Sequence, residues 1–238
     1  MNIEGVQIGA LPRNTSEALI VKRDRITRNK IIEKTEKYIS RGIDIIGALC
    51  GITLLIPITV GIWIANKITK NKGPIFYNTE RIGKDGKSFK MYKFRSMVLG
   101  ADEKLKEYLA ENPEAKKEYK KYKKLKYDPR VTKVGEFIRK TSLDEFPQFI
   151  NVLKGEMSLV GPRPYLPREK EDMDTYYSSI VKCKPGVTGF WQISGRSNTT
   201  FDDRLQMDTE YSYTKNLKTD IKILLKTVKN VVTREGAI

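Results

Sequence analysis

Apolar and polar positions along this chain follow three different regimes. From Ile43 to Ala65 (IDIIGALCGITLLIPITVGIWIA) apolar residues are nearly continuous. As a single helix those 23 residues would reach about 34 Å, enough to cross a bilayer. Just upstream, Ile31, Ile32, Thr35, Tyr38 and Ile39 recur at helical spacing. This marks Arg28 to Ser40 as an interfacial helix or a lead-in turn, after a tail (Met1 to Arg25) expected to be a mobile arm. Downstream the pattern switches. Two strand-like stretches flank Asp85-Gly86, a tight-turn signal, so a β-hairpin is expected there. Alternation on its second strand puts Phe89, Met91, Lys93 and Arg95 on one face. Ala101 to Lys126 reads as a lysine-rich surface helix or helical hairpin interrupted at Pro113. A further helix is expected from near Asp144 to Lys154-Gly155, where glycine suits the cap. At the C-terminal end Ile221, Leu224, Leu225, Val228, Val231 and Val232 form a stripe opposite Lys222, Lys226 and Lys229. That pattern fits either a lipid-facing helix or one docked on the core.

Two details bear on the apolar run. Pro57 sits inside it and removes one helical hydrogen bond. Lys37 and Arg41 precede the run, and Lys67, Lys70 and Lys72 follow it, so both ends are basic. The positive-inside rule favours both ends on the cytoplasmic side. A re-entrant helix broken at Pro57 satisfies both details, with Asp44 at headgroup depth. A kinked crossing helix and a buried core helix are the alternatives. The expected organisation is residues 1–42 as arm and interfacial helix, 43–66 as the re-entrant helix, and 67–238 as a cytoplasmic domain. The expected fold class is α+β: a re-entrant membrane helix plus a compact, mainly helical domain with a small β-hairpin and interfacial amphipathic helices.

Charge and composition narrow the chemistry. Of the 238 residues, Lys and Arg number 45 against 29 acids, a net +16. Such a chain seeks phosphorylated substrates, anionic lipids or nucleic acid. Histidine is absent, which excludes imidazole-based nucleophile systems and imidazole ligation of zinc. Cys50 and Cys183 form no ligand pattern. Proton or phosphoryl chemistry must therefore come from Asp, Glu, Lys, Arg, Tyr or an oxygen-bound metal.

The densest candidate region is DPRVTKVGEFIRKTSLDEFPQFINVLKGEMSLVGPRP, Asp128 to Pro164. Asp144 and Glu145 are adjacent, with Arg139 and Lys140 upstream and Arg163 between two prolines downstream. Ser142 to Glu145 matches a capping box, which would give one carboxylate a purely structural role. Two carboxylates beside cations also suit a phosphate–metal site. Arg196, after Gly195, is another candidate phosphate ligand, whereas Trp191 reads as core or interface rather than as a substrate stack.

Several of these stretches together resemble the bacterial sugar transferases of the monotopic phosphoglycosyl transferase superfamily, with undecaprenyl-phosphate galactose or glucose phosphotransferases the nearest branch. The resemblance runs from about Lys37 onward. It is carried by YKFRSM (Tyr92–Met97), RKTSLDEFPQFINVLKGEMSLVGPRP (Arg139–Pro164), KPGVTGFWQISGRS (Lys184–Ser197) and DIKILLKTV (Asp220–Val228). It implies a re-entrant helix broken at a proline, matching Pro57, and an Asp-Glu catalytic dyad, matching Asp144 and Glu145. It implies Mg²⁺ held by that dyad, a UDP-sugar donor and undecaprenyl phosphate as acceptor. Lys93, Arg95, Arg139, Arg163 and Arg196 would then bind substrate phosphate. The implied reaction passes through an aspartyl phosphosugar and releases UMP, as the first membrane step of exopolysaccharide or glycoconjugate synthesis, at the cytoplasmic face of the bacterial inner membrane beside anionic lipids. Larger relatives carry extra membrane helices and a further domain, so this chain is expected to be the compact catalytic form. The competing expectations are a non-catalytic scaffold for polysaccharide assembly and a membrane-tethered nucleic-acid-binding protein. No nucleic-acid partner is expected, and a homo-oligomer is left open.

Overall fold

The computed structural model describes residues 15–194 and 199–233, with backbone only for 15–30, 231 and 232. Two units divide at Ser40. The first is helical from Thr15, inside the stretch expected to be an arm. The second, from Arg41, carries everything that follows.

Helix α1 (Thr15–Ile68) continues through Pro57 as α-helix. Within the second unit its buried positions are Asp44, Ala48, Gly51, Leu55, Ile62 and Asn66. Steps of three, four and seven place these on one face. Gly47 and Gly51 let Leu159 and Phe149 reach the helix axis, since a Cβ at either glycine would collide with those side chains. Asp44 is buried against the rest of the unit. It accepts hydrogen bonds from Ser158 Oγ (2.9 Å) and the Leu159 N–H (2.8 Å). The opposite face is apolar and open, with Ile56 71% and Leu54 54% exposed.

The expected hairpin forms from β1 (Phe76–Ile82) and β2 (Ser88–Phe94), antiparallel, with Ile82 opposite Ser88 at the turn. Asp85 (φ 57°) and Gly86 (φ 75°) both take left-handed backbone there. Helices α2 (Ala101–Glu111) and α3 (Pro113–Tyr122) form the lysine-rich pair, with Pro113 in the first turn of α3, where no donor is needed. Helix α4 (Lys133–Lys140) is capped by Thr132, whose hydroxyl accepts the Gly135 N–H. A 3₁₀ turn, Leu143–Glu145, then leads to α5 (Gln148–Lys154), which ends on Gly155 at φ 83°. Strand β3 (Ser158–Val160) precedes the short helices α6 (Lys170–Met173) and α7 (Tyr177–Ile180). Strand β4 (Gly186–Thr188) pairs parallel with β3, and α8 (Phe190–Ser194), α9 (Phe201–Thr214) and α10 (Leu217–Thr233) follow.

Three apolar clusters hold the second unit together. Leu55 and Ile62 of α1 pack with Phe94, Val134 and Ile138, and Leu143 and Phe146 lie against them. Leu143 and Phe146, at either end of the two acids, thus pack against a cluster that the apolar helix helps to form. A second cluster joins Ala48, Met91, Val152, Val160, Tyr211 and Ile223. A third joins Ile82, Tyr165, Phe201 and Leu205. Helix α10 docks on the core through part of its apolar stripe, Leu224, together with residues beside the stripe. Asp220, Ile223 (1% exposed) and Asn230 are buried, whereas Leu225 (68%) and Val228 (63%) stay open. One oxygen of the buried carboxylate is satisfied locally, because the Tyr211 hydroxyl donates to Asp220 at 2.7 Å.

Candidate active site

The two acids do not cap a helix. Ser142 has left-handed backbone (φ 57°) and its side chain accepts no capping bond, so the capping box is not formed. Pro147 instead occupies the position before α5, which starts only at Gln148. A 3₁₀ turn has fewer residues per turn than an α-helix, and here it leaves both carboxylates on one cation. Lys93 Nζ lies 2.8 Å from Glu145 Oε1 and 3.7 Å from Asp144 Oδ2. The strand is locked to this region by Asn151 of α5. Its Oδ1 accepts the Tyr92 N–H (3.0 Å), and its Nδ2 donates to the Lys90 carbonyl (2.7 Å).

The two carboxyls are driven apart electrostatically. Burial raises Asp144 above the usual carboxylate range, an effect that Lys93 opposes. Burial also acts on Glu145, but there the attraction and hydrogen bond of Lys93, with help from Arg163, prevail and hold it low. Neighbouring acids with divergent environments are a recurrent arrangement for divided roles.

Around them lies a cleft of about 1230 Å³. It brings together six of the seven site residues expected from the sequence: Lys93, Arg95, Arg139, Asp144, Glu145 and Arg163. Arg196 lies outside the described residues. Parallel pairing of β3 with β4 explains one convergence. Both strands point the same way, so the chain after β3 (Arg163) and the chain after β4 (Trp191) emerge at the same end. Arg139 comes from the last turn of α4 and acts on Asp144 at range.

One expected phosphate ligand, Arg95, already has protein partners. The Arg95 guanidinium is engaged by the protein itself. Nε donates to the Pro74 carbonyl (2.7 Å), Nη2 to Lys72 (2.9 Å) and Nη1 to Met97 (3.2 Å). Alternation correctly puts it on the cleft side, but three carbonyls of neighbouring loops converge on it. Its work is to tie the chain after α1 to the end of β2. Arg130 is similarly consumed by a two-point pair with Asp128 (2.7 and 2.8 Å).

Other lining residues were not singled out by sequence reasoning: Lys124, Arg204 and, as a site residue, Trp191. Lys124 is hidden in a lysine-rich stretch whose composition fits any solvated helix. Arg204 lies on a helix with no local motif, and only the fold brings it to the cleft.

For Mg²⁺ the donor set fits. Asp144 and Glu145 offer hard carboxylate oxygens on one turn, and Mg²⁺ is commonly held by one or two carboxylates plus substrate phosphates. Among the described residues no cluster of three or more acidic or thiol ligands exists, so remaining ligands must come from substrate and water.

A family model described as bacterial sugar transferase matches residues 35–234. The chain is 45% identical over 214 residues to an undecaprenyl-phosphate galactose phosphotransferase of Salmonella typhimurium, covering 88% of this chain and 44% of that protein. It is 41% identical over 197 residues to the exopolysaccharide production protein ExoY of Rhizobium meliloti, covering 83% and 87% respectively. A UDP-glucose:undecaprenyl-phosphate glucose-1-phosphate transferase of Escherichia coli is 38% identical over 200 residues, covering 81% and 40%. The chain thus spans under half the length of the first and third of these relatives.

Proposed function

This chain belongs to the bacterial sugar transferase family, and from that premise we propose that it transfers a sugar-1-phosphate from a UDP-sugar to undecaprenyl phosphate. UDP-galactose and UDP-glucose are the favoured donors, in keeping with the names of the relatives. The observation that carries the reading is the unequal pair on Lys93. Glu145 is hydrogen-bonded to the ammonium, whereas Asp144 Oδ2, at 3.7 Å, is outside hydrogen-bond range. Asp144 therefore keeps a free lone pair while its charge is still compensated, and burial leaves that carboxylate poorly hydrated and reactive.

In the proposed first step an Asp144 oxygen attacks the sugar-bearing phosphorus. The phosphorus–oxygen bond to the UMP moiety breaks, and UMP departs with the bridging oxygen. In the second step an oxygen of undecaprenyl phosphate attacks the same phosphorus, and the bond to Asp144 breaks. One phosphoanhydride replaces another, so no outside energy source is required. Lys93 and Glu145 hold Asp144 in place, while Arg139 and Arg163 receive phosphate oxygens through their planar forks. Mg²⁺ bound by the two carboxylates would offset phosphate charge.

We further propose attachment at the cytoplasmic face of the membrane by a re-entrant rather than a crossing helix. One face of α1 is packed on the catalytic unit from Asp44 to Asn66. A helix covered over that length cannot cross without carrying its packed partners into lipid. Although α1 runs unbroken through Pro57, in the bilayer the helix would bend there, since the Thr53 carbonyl loses its helical donor. The open apolar faces of α1 and α10, the latter flanked by Lys222, Lys226 and Lys229, would meet acyl chains and anionic headgroups.

In membrane extracts given UDP-sugar, Asp144→Asn should lower UMP release by at least about a thousandfold, as loss of a covalent nucleophile does. Chelation of divalent metal should stop the unaltered protein. Wild-type rates in the Asp144→Asn chain would eliminate Asp144 as nucleophile.

A further inference from the structure

The cleft holds more cations than the acid pair uses, and two N–H donors on its wall are left open. Arg163 and Arg204 each place their guanidinium carbon 5.7 Å from the centroid of the Trp191 ring. Two buried donors at this spot, Arg163 Nε and Trp191 Nε1, meet no acceptor. Buried N–H groups without acceptors are costly, so their persistence in one place marks where a ligand oxygen belongs. Arg95 and Arg130 of the same cleft have the guanidinium taken up by carbonyls or a carboxylate, and Arg204 is partly taken up in the same way, by the Thr200 and Tyr122 carbonyls, whereas Arg163 Nε is left open.

Two nearby acids, Glu169 and Asp208, are themselves engaged by the protein. Glu169 Oε2 is engaged by the Leu166 N–H, and Asp208 Oδ2 by the Tyr165 hydroxyl and the Arg163 N–H. Burial also pushes Asp208 up to about 7, so near neutrality it carries only part of a charge. The cations register one another. Lys124 is drawn down to about 8 by burial and then by Arg204 and Arg163, and Arg81 and Arg204 fall to about 10 by burial and then by Arg163. Like charges gathered under a low-dielectric wall focus a field on whatever anion enters.

We propose that Arg163, Arg204 and Lys124, grouped about Trp191, form a second phosphate subsite beside the acid pair. This rests on the reading of the cleft as the site of sugar-phosphate transfer. The acid pair handles the phosphorus that changes partners, and the subsite holds a phosphate that does not. Two such groups exist in the reaction: the phosphate that leaves on the nucleoside, and the phosphate of the polyprenyl acceptor. Trp191 and Arg204 act here by positioning that group, with Arg204 also anchored by its bonds to the Thr200 and Tyr122 carbonyls.

The chain has two tryptophans, and Trp63 lies on the open face of α1. Trp63→Phe in the full chain, held in detergent micelles, therefore makes Trp191 the sole indole emitter. UMP and a short-chain polyprenyl phosphate are titrated separately while its emission is followed. Arg204→Lys and Lys124→Gln should each weaken one of the two ligands by at least about tenfold. Weakening confined to UMP assigns the subsite to the nucleotide phosphate; weakening confined to the lipid assigns it to the acceptor. Lys124 is only half-buried, so its variant keeps the test valid if Arg204→Lys misfolds. Unchanged affinity for both ligands in Lys124→Gln, or no emission response of the Trp63→Phe protein to either, overturns the subsite. UMP release from UDP-sugar by the unaltered chain is measured alongside. Its absence would defeat the transferase reading itself, whereas its presence with unmoved affinities defeats the subsite alone.

Discussion

Asp208 shows how one buried carboxyl can set a pH response. It is fully buried on α9, accepts from the Tyr165 hydroxyl at 2.7 Å and from the Arg163 N–H at 2.9 Å, and leaves Oδ1 without a partner. Burial raises its pKa from 3.8 to about 7. The folded chain therefore binds this proton more tightly than the unfolded chain. The linked stability is complete below about pH 4 and is lost as pH rises through about 7, an effect of about 4 kcal/mol. Asp208→Asn keeps an acceptor for both donors but cannot ionise. Thermal melts in detergent across that window should show wild-type stability falling more steeply with pH than that of the variant. Parallel slopes would mean Asp208 does not titrate in the fold. At this scale the sequence was a partial guide. Asp144 and Glu145 stand out because they are adjacent and have cations nearby. Nothing local distinguishes Arg95, whose guanidinium is captured by three carbonyls from two loops, from Arg163, whose Nε is left open.

Among the elements, α4 depends on contact closer than any side chain allows. It follows the isolated bridge between Met97 and Val131, and the Thr132 N–H donates to the Ser96 carbonyl. A Cβ on Gly135 would collide with that same carbonyl, which is backbone and cannot rotate away. Gly135→Ala should therefore destabilise the protein by about 1–3 kcal/mol, read as a lowered melting temperature. Because α4 delivers Arg139 and the turn beyond it delivers Asp144, UMP release should fall in parallel. The hairpin was legible because Asp85-Gly86 accepts left-handed backbone between alternating strands. The docking face of α10 was not, since Ile221, Leu225 and Val228 of its apolar stripe stay open while Asp220, Ile223 and Asn230 face in beside Leu224. Hydropathy ranks residues by transfer from water. It does not register a buried Asp satisfied by a tyrosine hydroxyl.

For the whole molecule, the consequence of α1 is topological. Gly42→Cys, at a position with open space around its Cβ, and Lys67→Cys bracket the apolar run. In a Cys50→Ala background, a membrane-impermeant maleimide should label both in inside-out vesicles and neither in spheroplasts. Labelling of one from each side would establish a crossing helix in place of the re-entrant one. The same geometry relates anchor to chemistry. Leu55 and Ile62 pack with the residues that seat the 3₁₀ turn, so the acid pair is held near the apolar helix, and under the proposed attachment an amphiphilic acceptor would present its phosphate there.

The sequence by itself determined that an apolar helix would form, that a hairpin would carry Lys93, and that two acids would lie together near arginine without any histidine. These follow from short-range rules: periodicity, turn propensity and neighbouring position. Only the tertiary structure decided which cations remain open to a ligand and which are held by the backbone. It also decided which face of each amphipathic helix is buried, and that Lys124, Trp191 and Arg204 share one cleft wall. Those outcomes depend on partners far apart in the chain, and a charge has no fixed function until its acceptors are in place.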